Sequence, residues 1–419
     1  MTPTLAAATR EWARIGVLSF GGPAAQIALM HRIVVDERRW LTERQFLDAL
    51  SFCMLLPGPE AMQLATYAGW RLHGVLGGLI AGLLFVLPGA LVVLALSALY
   101  IVYGDVPLAE AIFLGIKAAV LVIVIEALLR VAKRALLRPL HWGIAGAAFV
   151  AIYLLALPYP LVIALAALAG IVAGSAEAGE DTPRLAVTPG RTLGTVVTWL
   201  AIWLVPLLAL DWMLPGSILG EIGRFFSVLA TVTFGGAYAV LAFMAQDAVE
   251  SYGWLTAGEM MDGLGLAETT PGPLILVTEF VGFLAAARDG GSLGMGIAGA
   301  VVTLWATFTP CFLWIFAGAP YIDWIGTQPR LRGALAGITA AVVGVILNLS
   351  LWFALHVVFG IVTRETAGPL VLWTPELASF DWRVVVIAGV AALLLLRLHK
   401  GMVSTLAICA GLGVLVGAL

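Results

Sequence analysis

"LLPGPE", residues 55–60, interrupts an apolar run with two prolines around a glycine, and a carboxylate, Glu60, follows at once. Proline removes an N–H and crowds the preceding turn, glycine loosens the backbone, and a charge gives up its water in hydrocarbon. "TPGPL", residues 270–274, does the same inside a second apolar run. A lone Pro-Gly-Pro reads as a packing kink, because both residues are common in membrane helices. Two such breaks with polar neighbours need a shared cause.

That cause is an internal repeat. Phe20-Gly21-Gly22 returns as Phe234-Gly235-Gly236, an offset of 214. The same offset carries Arg10 to Arg224, Trp40-Leu41-Thr42 to Trp254-Leu255-Thr256, Asp48 to Asp262, and Pro57-Gly58-Pro59 to Pro271-Gly272-Pro273. Past a longer loop the offset becomes 222, which carries Gly74 to Gly296, Gly77 to Gly299, Gly115-Ile116 to Gly337-Ile338 and Glu126 to Asn348. The expected organisation is a first repeat at 1–174, a linker plus connecting transmembrane helix at 175–219, and a second repeat at 220–419. Residues 175–192 are polar and rich in turn formers, and 194–212 are apolar and occur once.

Of 419 residues, 62% are hydrophobic and 11% charged, and mean hydropathy is +1.04. A soluble domain is nearer a quarter charged. Apolar stretches near the length of a bilayer crossing recur throughout, so the expected fold is an all-α polytopic membrane protein. A net charge of −3 excludes a broad nucleic-acid surface. There is no phosphate-binding Gly-Lys loop for an ATP motor, no metal-ligand spacing among the five His and three Cys, and no nucleophile arrangement. No cofactor is expected. The N-terminus lacks the pattern of a cleaved signal peptide.

Equivalent loops carry opposite charge. Residues 31–44 hold Arg32, Arg38, Arg39 and Arg44; their mates at 245–258 hold Asp247 and Glu250 and no Lys or Arg. Asp105 and Glu110 face Arg330 and Arg332 in the same way, and the basic loop at 130–138 has a more acidic mate at 360–381. Because Lys and Arg favour the cytoplasmic side, the halves are expected to insert in opposite orientations, with 194–212 supplying the odd crossing. Residues 45–70 and 259–287 then read as re-entrant helix-break-helix segments with the Pro-Gly-Pro triplets at their tips. The Phe-Gly-Gly segments read as further breaks.

Irregular backbone at membrane depth lines a cavity or is buried in protein. Proline fits the first turn of a new helix, whose free N–H groups and dipole attract anions. The candidate substrate-binding residues are therefore Phe20, Gly21, Gly22, Gln26, Pro57, Gly58, Pro59, Glu60 and Gln63 in the first repeat. In the second they are Phe234, Gly235, Gly236, Glu268, Thr269, Thr270, Pro271, Gly272 and Pro273. Five ionisable residues are candidates for coupling or charge balance. Lys117 either balances a bound dianion or holds a proton-dependent charge. Glu126, nine residues on and on another helix face, snorkels to the basic loop or acts in coupling. Glu279 is a coupling carboxylate or faces a watery vestibule. Arg10 and Arg224 anchor at the interface or capture the anion.

Residues 19–74 closely resemble the chromate ion transporter family, and "TFGGAYAVLAFMAQDAVESYGWLTAGEMMDGLGLAETTPGPL", 233–274, resembles the second domain of its long, two-domain bacterial members. "TFTPCFLWIFAGAPYI", 307–322, fits as well. The resemblance implies a non-enzymatic, multi-pass exporter of chromate in the bacterial inner membrane, driven by an ion gradient, with sulfate as a close analogue of the substrate. Protons or sodium are the coupling ions it implies, lipid is a partner, and a homodimer stays open. Many family members have His where this chain has Gln26, so no protonatable group is expected there. Two other readings stay open: a general sulfate or oxyanion carrier, and an intramembrane enzyme using Glu60 and Glu268 as acid and base.

Overall fold

A computed structural model describes residues 3–104, 106–174, 189–234, 237–322 and 328–417. The first repeat runs α1 (Leu5–Leu18), α2 (Gly22–His31), a π-helical turn (Arg32–Glu37), α3 (Glu43–Cys53), α4 (Glu60–Tyr103), α5 (Pro107–Ala135), α6 (Pro139–Tyr153) and α7 (Tyr159–Gly174). After α8 (Pro189–Met213) the series returns. It runs α9 (Ile218–Val232), α10 (Ala237–Gln246), a π-helical turn (Asp247–Ser251), α11 (Ala257–Thr269), α12 (Val277–Asp289), α13 (Leu293–Gly318), α14 (Pro329–Val358), α15 (Trp382–Ala392) and α16 (Met402–Gly417). Even the caps recur. Thr42 and Gln45 exchange side-chain and backbone bonds at the start of α3, as Thr256 and Glu259 do at the start of α11.

Among the described residues five helices are long and apolar enough to cross a membrane, in α4, α5, α8, α13 and α14. Helix α4 is really two limbs, because His73 and Gly74 leave helical geometry, with Gly74 at φ +63. The limbs fold back on each other so closely that a Cβ on Gly69 would overlap the Gly77 carbonyl, and one on Gly82 would meet Thr66. The second repeat makes the same reversal between α12 and α13, where Gly282 lies against Gly299 and Thr303. It uses the turn Gly290–Ser292, which accounts for the longer loop there.

The chain forms two compact units, and each draws on both repeats. The first comprises Met1–Ala98, Ala178–Ala237 and Thr270–Gln328; the second comprises Leu99–Glu177, Tyr238–Thr269 and Pro329–Leu419. In the first, α13 packs on α8, α9 and α12. In the second, α14 packs on α5, α6 and α7, while α5 also receives α11, α15 and α16. Small residues set these contacts, as usual where lipid supplies no hydrophobic drive between helices. Gly337 lies against the Ala166 carbonyl, and its repeat mate Gly115 against that of Cys409.

The all-α polytopic expectation holds with one exception. The loop expected at 360–381 carries a hairpin, β1 (Val362–Ala367) and β2 (Leu370–Pro375), closed by Gly368 at φ +64. Val371 donates to the Leu154 carbonyl at 2.7 Å, fixing the hairpin to the turn after α6. Most of the linker at 175–192 lies outside the described residues; its last residues, 189–192, open α8.

Candidate substrate site

The first compact unit contains both Pro-Gly-Pro breaks and the ends of both helices that precede the Phe-Gly-Gly segments. Helix α1 ends at Leu18 and α9 at Val232. The next residues, Ser19 and Thr233, are fully buried and turn their hydroxyls back onto their own helices, onto the carbonyls of Ile15 (2.6 Å) and Leu229 (2.5 Å). Their carbonyls then point away from the helix. The Gly58 N–H donates to the Thr233 carbonyl at 2.8 Å, and the Gly272 N–H donates to the Ser19 carbonyl, also at 2.8 Å. Each break is thus tied to the helix end of the opposite repeat.

Glycine is required in both triplets. Gly58 has φ +120 and Gly272 φ +92, in the left-handed region. A Cβ on Gly58 would lie 2.8 Å from the Gln63 amide nitrogen and 2.9 Å from Cys311 Sγ. A Cβ on Gly272 would lie 2.9 Å from Leu276, with Gly89 just behind it. Gly89 and Cys311 are themselves repeat mates at the offset of 222. Two buried glutamines brace the breaks. Gln63 donates to the Pro57 carbonyl at 2.7 Å and Gln26 to the Gly272 carbonyl at 2.6 Å, and in each the amide oxygen is buried without a partner.

Other candidates fall as follows. Phe20 is exposed at 42%, beside Gly21 and Gly22, which both have positive φ. Pro59 precedes α4, and Glu60 is its first residue. Pro271 and Pro273 flank Gly272, with buried Thr270 ahead of them. Phe234 follows Thr233; Gly235 and Gly236 lie outside the described residues. Glu279 is buried near the start of α12, with one carboxylate oxygen unpartnered. Arg10 is exposed and lines a cavity with Glu11, Arg14 and Arg38. Arg224 is held by both oxygens of Asp211 at 2.7 and 2.8 Å, so anion capture by it requires displacing a carboxylate.

Glu268, Thr269, Lys117 and Glu126 belong to the second unit. Glu268 is buried and accepts from Tyr238 at 2.7 Å, and its other oxygen is unpartnered. Thr269 turns back to the Leu266 carbonyl. Glu126 pairs with Arg130 one turn on, towards the basic loop. Lys117 pairs with Asp262 at 3.3 Å, and Asp262 also accepts from Tyr100 at 2.8 Å. The lysine's charge is therefore already met. Asp262 was legible only as the mate of Asp48, which on α3 is exposed and pairs with Arg44. Ser19 and Thr233 also escaped the sequence reading, although the hydroxyl repeated before each Phe-Gly-Gly was the available signal. Among the described residues no cluster of His, Cys, Asp and Glu could hold a metal ion.

The family profile described as Chromate transporter matches residues 6–171 and 220–415. The chain belongs to the chromate transporter family. It is 33% identical over 340 residues to the probable chromate transport protein of Synechococcus elongatus, covering 81% of each chain. It is 36% identical over 346 residues to a chromate transport protein of Pseudomonas aeruginosa, covering 80% of this chain and 77% of that one. With the chromate transport protein of Cupriavidus metallidurans it shares 31% over 346 residues, covering 82% and 81%. No solved structure matches the chain. Membership in this transporter family and the apolar helices agree on a multi-pass membrane protein.

Proposed function

We propose that the protein is a secondary active transporter that exports chromate across the bacterial inner membrane, by alternating access of two inverted repeats coupled to a proton or sodium gradient. Family membership and the names of its relatives support the substrate. The observation that supports the mechanism is the reciprocal tie of each Pro-Gly-Pro break to the opposite repeat, Gly58 to Thr233 and Gly272 to Ser19. Such ties make any movement of one repeat felt at the break of the other, as rocking of inverted repeats around a shared site requires.

The glycine amides are spent on these ties, so they are not the anion's ligands. Donors that remain for a dianion lie in the first turn of α4, at Ala61 and Met62, which an α-helix leaves without internal acceptors. Glu60 stands in that same turn. Its carboxylate competes with a dianion for the positive helix end, and neutralising it favours entry. Sulfate, a tetrahedral dianion of similar size, meets the same donors and competes.

The test is uptake of labelled chromate by inside-out proteoliposomes under imposed pH and sodium gradients. Pro57→Ala/Pro271→Ala protein is expected to lose most uptake. Unimpaired uptake by that variant removes the breaks from the mechanism, and sulfate that fails to compete removes the shared-dianion site.

A further inference from the structure

Within the second unit, the end of α6, the start of α7, α10, the π-helical turn Asp247–Ser251, α14 and β1 line a partly open cavity of about 380 Å³. Its polar lining includes Gln246, Asp247, Glu250, Ser251, Asn348 and Arg364. Two carboxylates face one guanidinium. Glu250 takes that guanidinium at 3.0 Å and the Trp352 indole N–H at 3.0 Å. Asp247 has a single long bond, from the Ser251 hydroxyl at 3.3 Å. One negative charge is left over.

Asn348 points independently to a ligand. It lies on α14 at 4% exposure, lines this cavity, and its side-chain amide has no hydrogen-bond partner among the described residues. The amide offers the cavity both an N–H2 donor and an oxygen acceptor. Turned with its oxygen inward, beside the surplus negative charge, it is matched by a cation. Oxygen ligands with one excess charge suit a monovalent ion, and the absence of a third metal-ligating side chain among the described residues argues against a divalent one. The widened π turn that presents Asp247 is a local irregularity frequent at functional sites. Burial raises the pKa of both Asp247 and Glu250 above the ordinary carboxylate value, so each gains from a positive neighbour.

We propose that Asp247, with the Asn348 amide oxygen and the Ser251 hydroxyl, binds one monovalent metal cation, for which sodium is the probe. Its role as the coupling-ion site rests on the transporter reading above; binding itself does not.

The experiment uses the full chain purified in detergent, without chromate. Labelled sodium is measured by equilibrium dialysis. The groups facing Asp247 are Glu250 on its own turn, Arg364 on β1 and Tyr159 at the start of α7. A sodium site gives saturable binding of one ion per chain, weakened roughly tenfold or more by Asp247→Asn and by Asn348→Leu. Asn348→Asp keeps the shape, adds a charge and tightens binding, which separates a lost ligand from a misfolded variant. No saturable sodium binding, or sodium binding indifferent to Asp247, overturns the proposal. Chromate transport without sodium binding removes this site alone; sodium binding without chromate transport removes the transporter reading instead.

Discussion

Gly58 donates its amide hydrogen to the carbonyl oxygen of Thr233 at 2.8 Å, joining the break of the first repeat to the end of α9 in the second. The bond exists only because the residue at 58 has φ +120 and no side chain. Gly58→Ala adds about 1–2 kcal/mol of left-handed strain. It also drives a methyl group into Gln63 and Cys311, at about 1–3 kcal/mol more. The expected result is a large fall in the thermal midpoint of the detergent-purified protein together with loss of chromate uptake. Gly216→Ala is the control: φ is +75, but a Cβ there meets nothing within 4 Å, so only the strain is added. Equal effects of the two substitutions would show that packing at the break does not matter.

The Lys117–Asp262 pair predicts a non-additive cycle. Their side chains are 27% and 5% exposed, and Tyr100 also donates to Asp262. Lys117→Met leaves a buried carboxylate uncompensated, a loss of about 3–5 kcal/mol. Asp262→Asn keeps an acceptor for Tyr100 and removes the charge, so adding it to Lys117→Met is expected to restore more than half of the lost stability. Thermal unfolding of the four proteins measures this. Additive single and double effects would mean that the two charges are not coupled.

How much of this was legible depends on distance along the chain. The repeat, the breaks and the helical class are local or periodic signals, and Pro57-Gly58-Pro59 with its mate carried most of them. Which break bonds to which helix end is a long-range contact, and nothing near Gly58 encodes Thr233. The same holds for Lys117, whose partner lies on α11, and which reads alone as an unmatched cation. A return of the chain after residue 70 was expected from the loop charges, but not that one glycine, Gly74, supplies the whole turn, because both limbs of α4 are apolar. The hairpin at 362–375 was read as loop because its strands are short and β1 is mostly polar.

Asp381 gives a prediction in pH. It caps α15, accepting the Arg383 N–H at 2.9 Å, and it also holds the Arg383 guanidinium. The Arg383 hydrogen bond lowers its pKa from the ordinary 3.8. A carboxyl depressed on folding contributes stability that is fully present above its unfolded pKa and disappears as pH falls through the folded value. Asp381→Ala is therefore expected to cost about 1 kcal/mol near neutral pH. The gap to wild type should close only below about pH 4. Thermal midpoints measured across that range check it. A gap that persists unchanged at the lowest pH would mean that the carboxylate charge plays no part.

The proposal that the repeats insert in opposite orientations predicts opposite labelling of two equivalent loops. Cys53, Cys311 and Cys409 are all buried, so a membrane-impermeant maleimide should leave the wild-type chain unlabelled from either side. Arg39 and Ser251 are exposed, and each lies at or just beyond the π-helical turn of its repeat. The first loop holds Arg32, Arg38, Arg39 and Arg44 and the second holds no Lys or Arg, and the bias of Lys and Arg to the cytoplasm assigns them to opposite faces. Arg39→Cys is therefore expected to react only in inside-out vesicles, and Ser251→Cys only in intact cells or right-side-out vesicles. If both react from the same face, the two repeats insert in parallel. The charge reversal between the loops would then need a different cause, and rocking around a pseudo-two-fold axis in the membrane plane could not be the transport cycle.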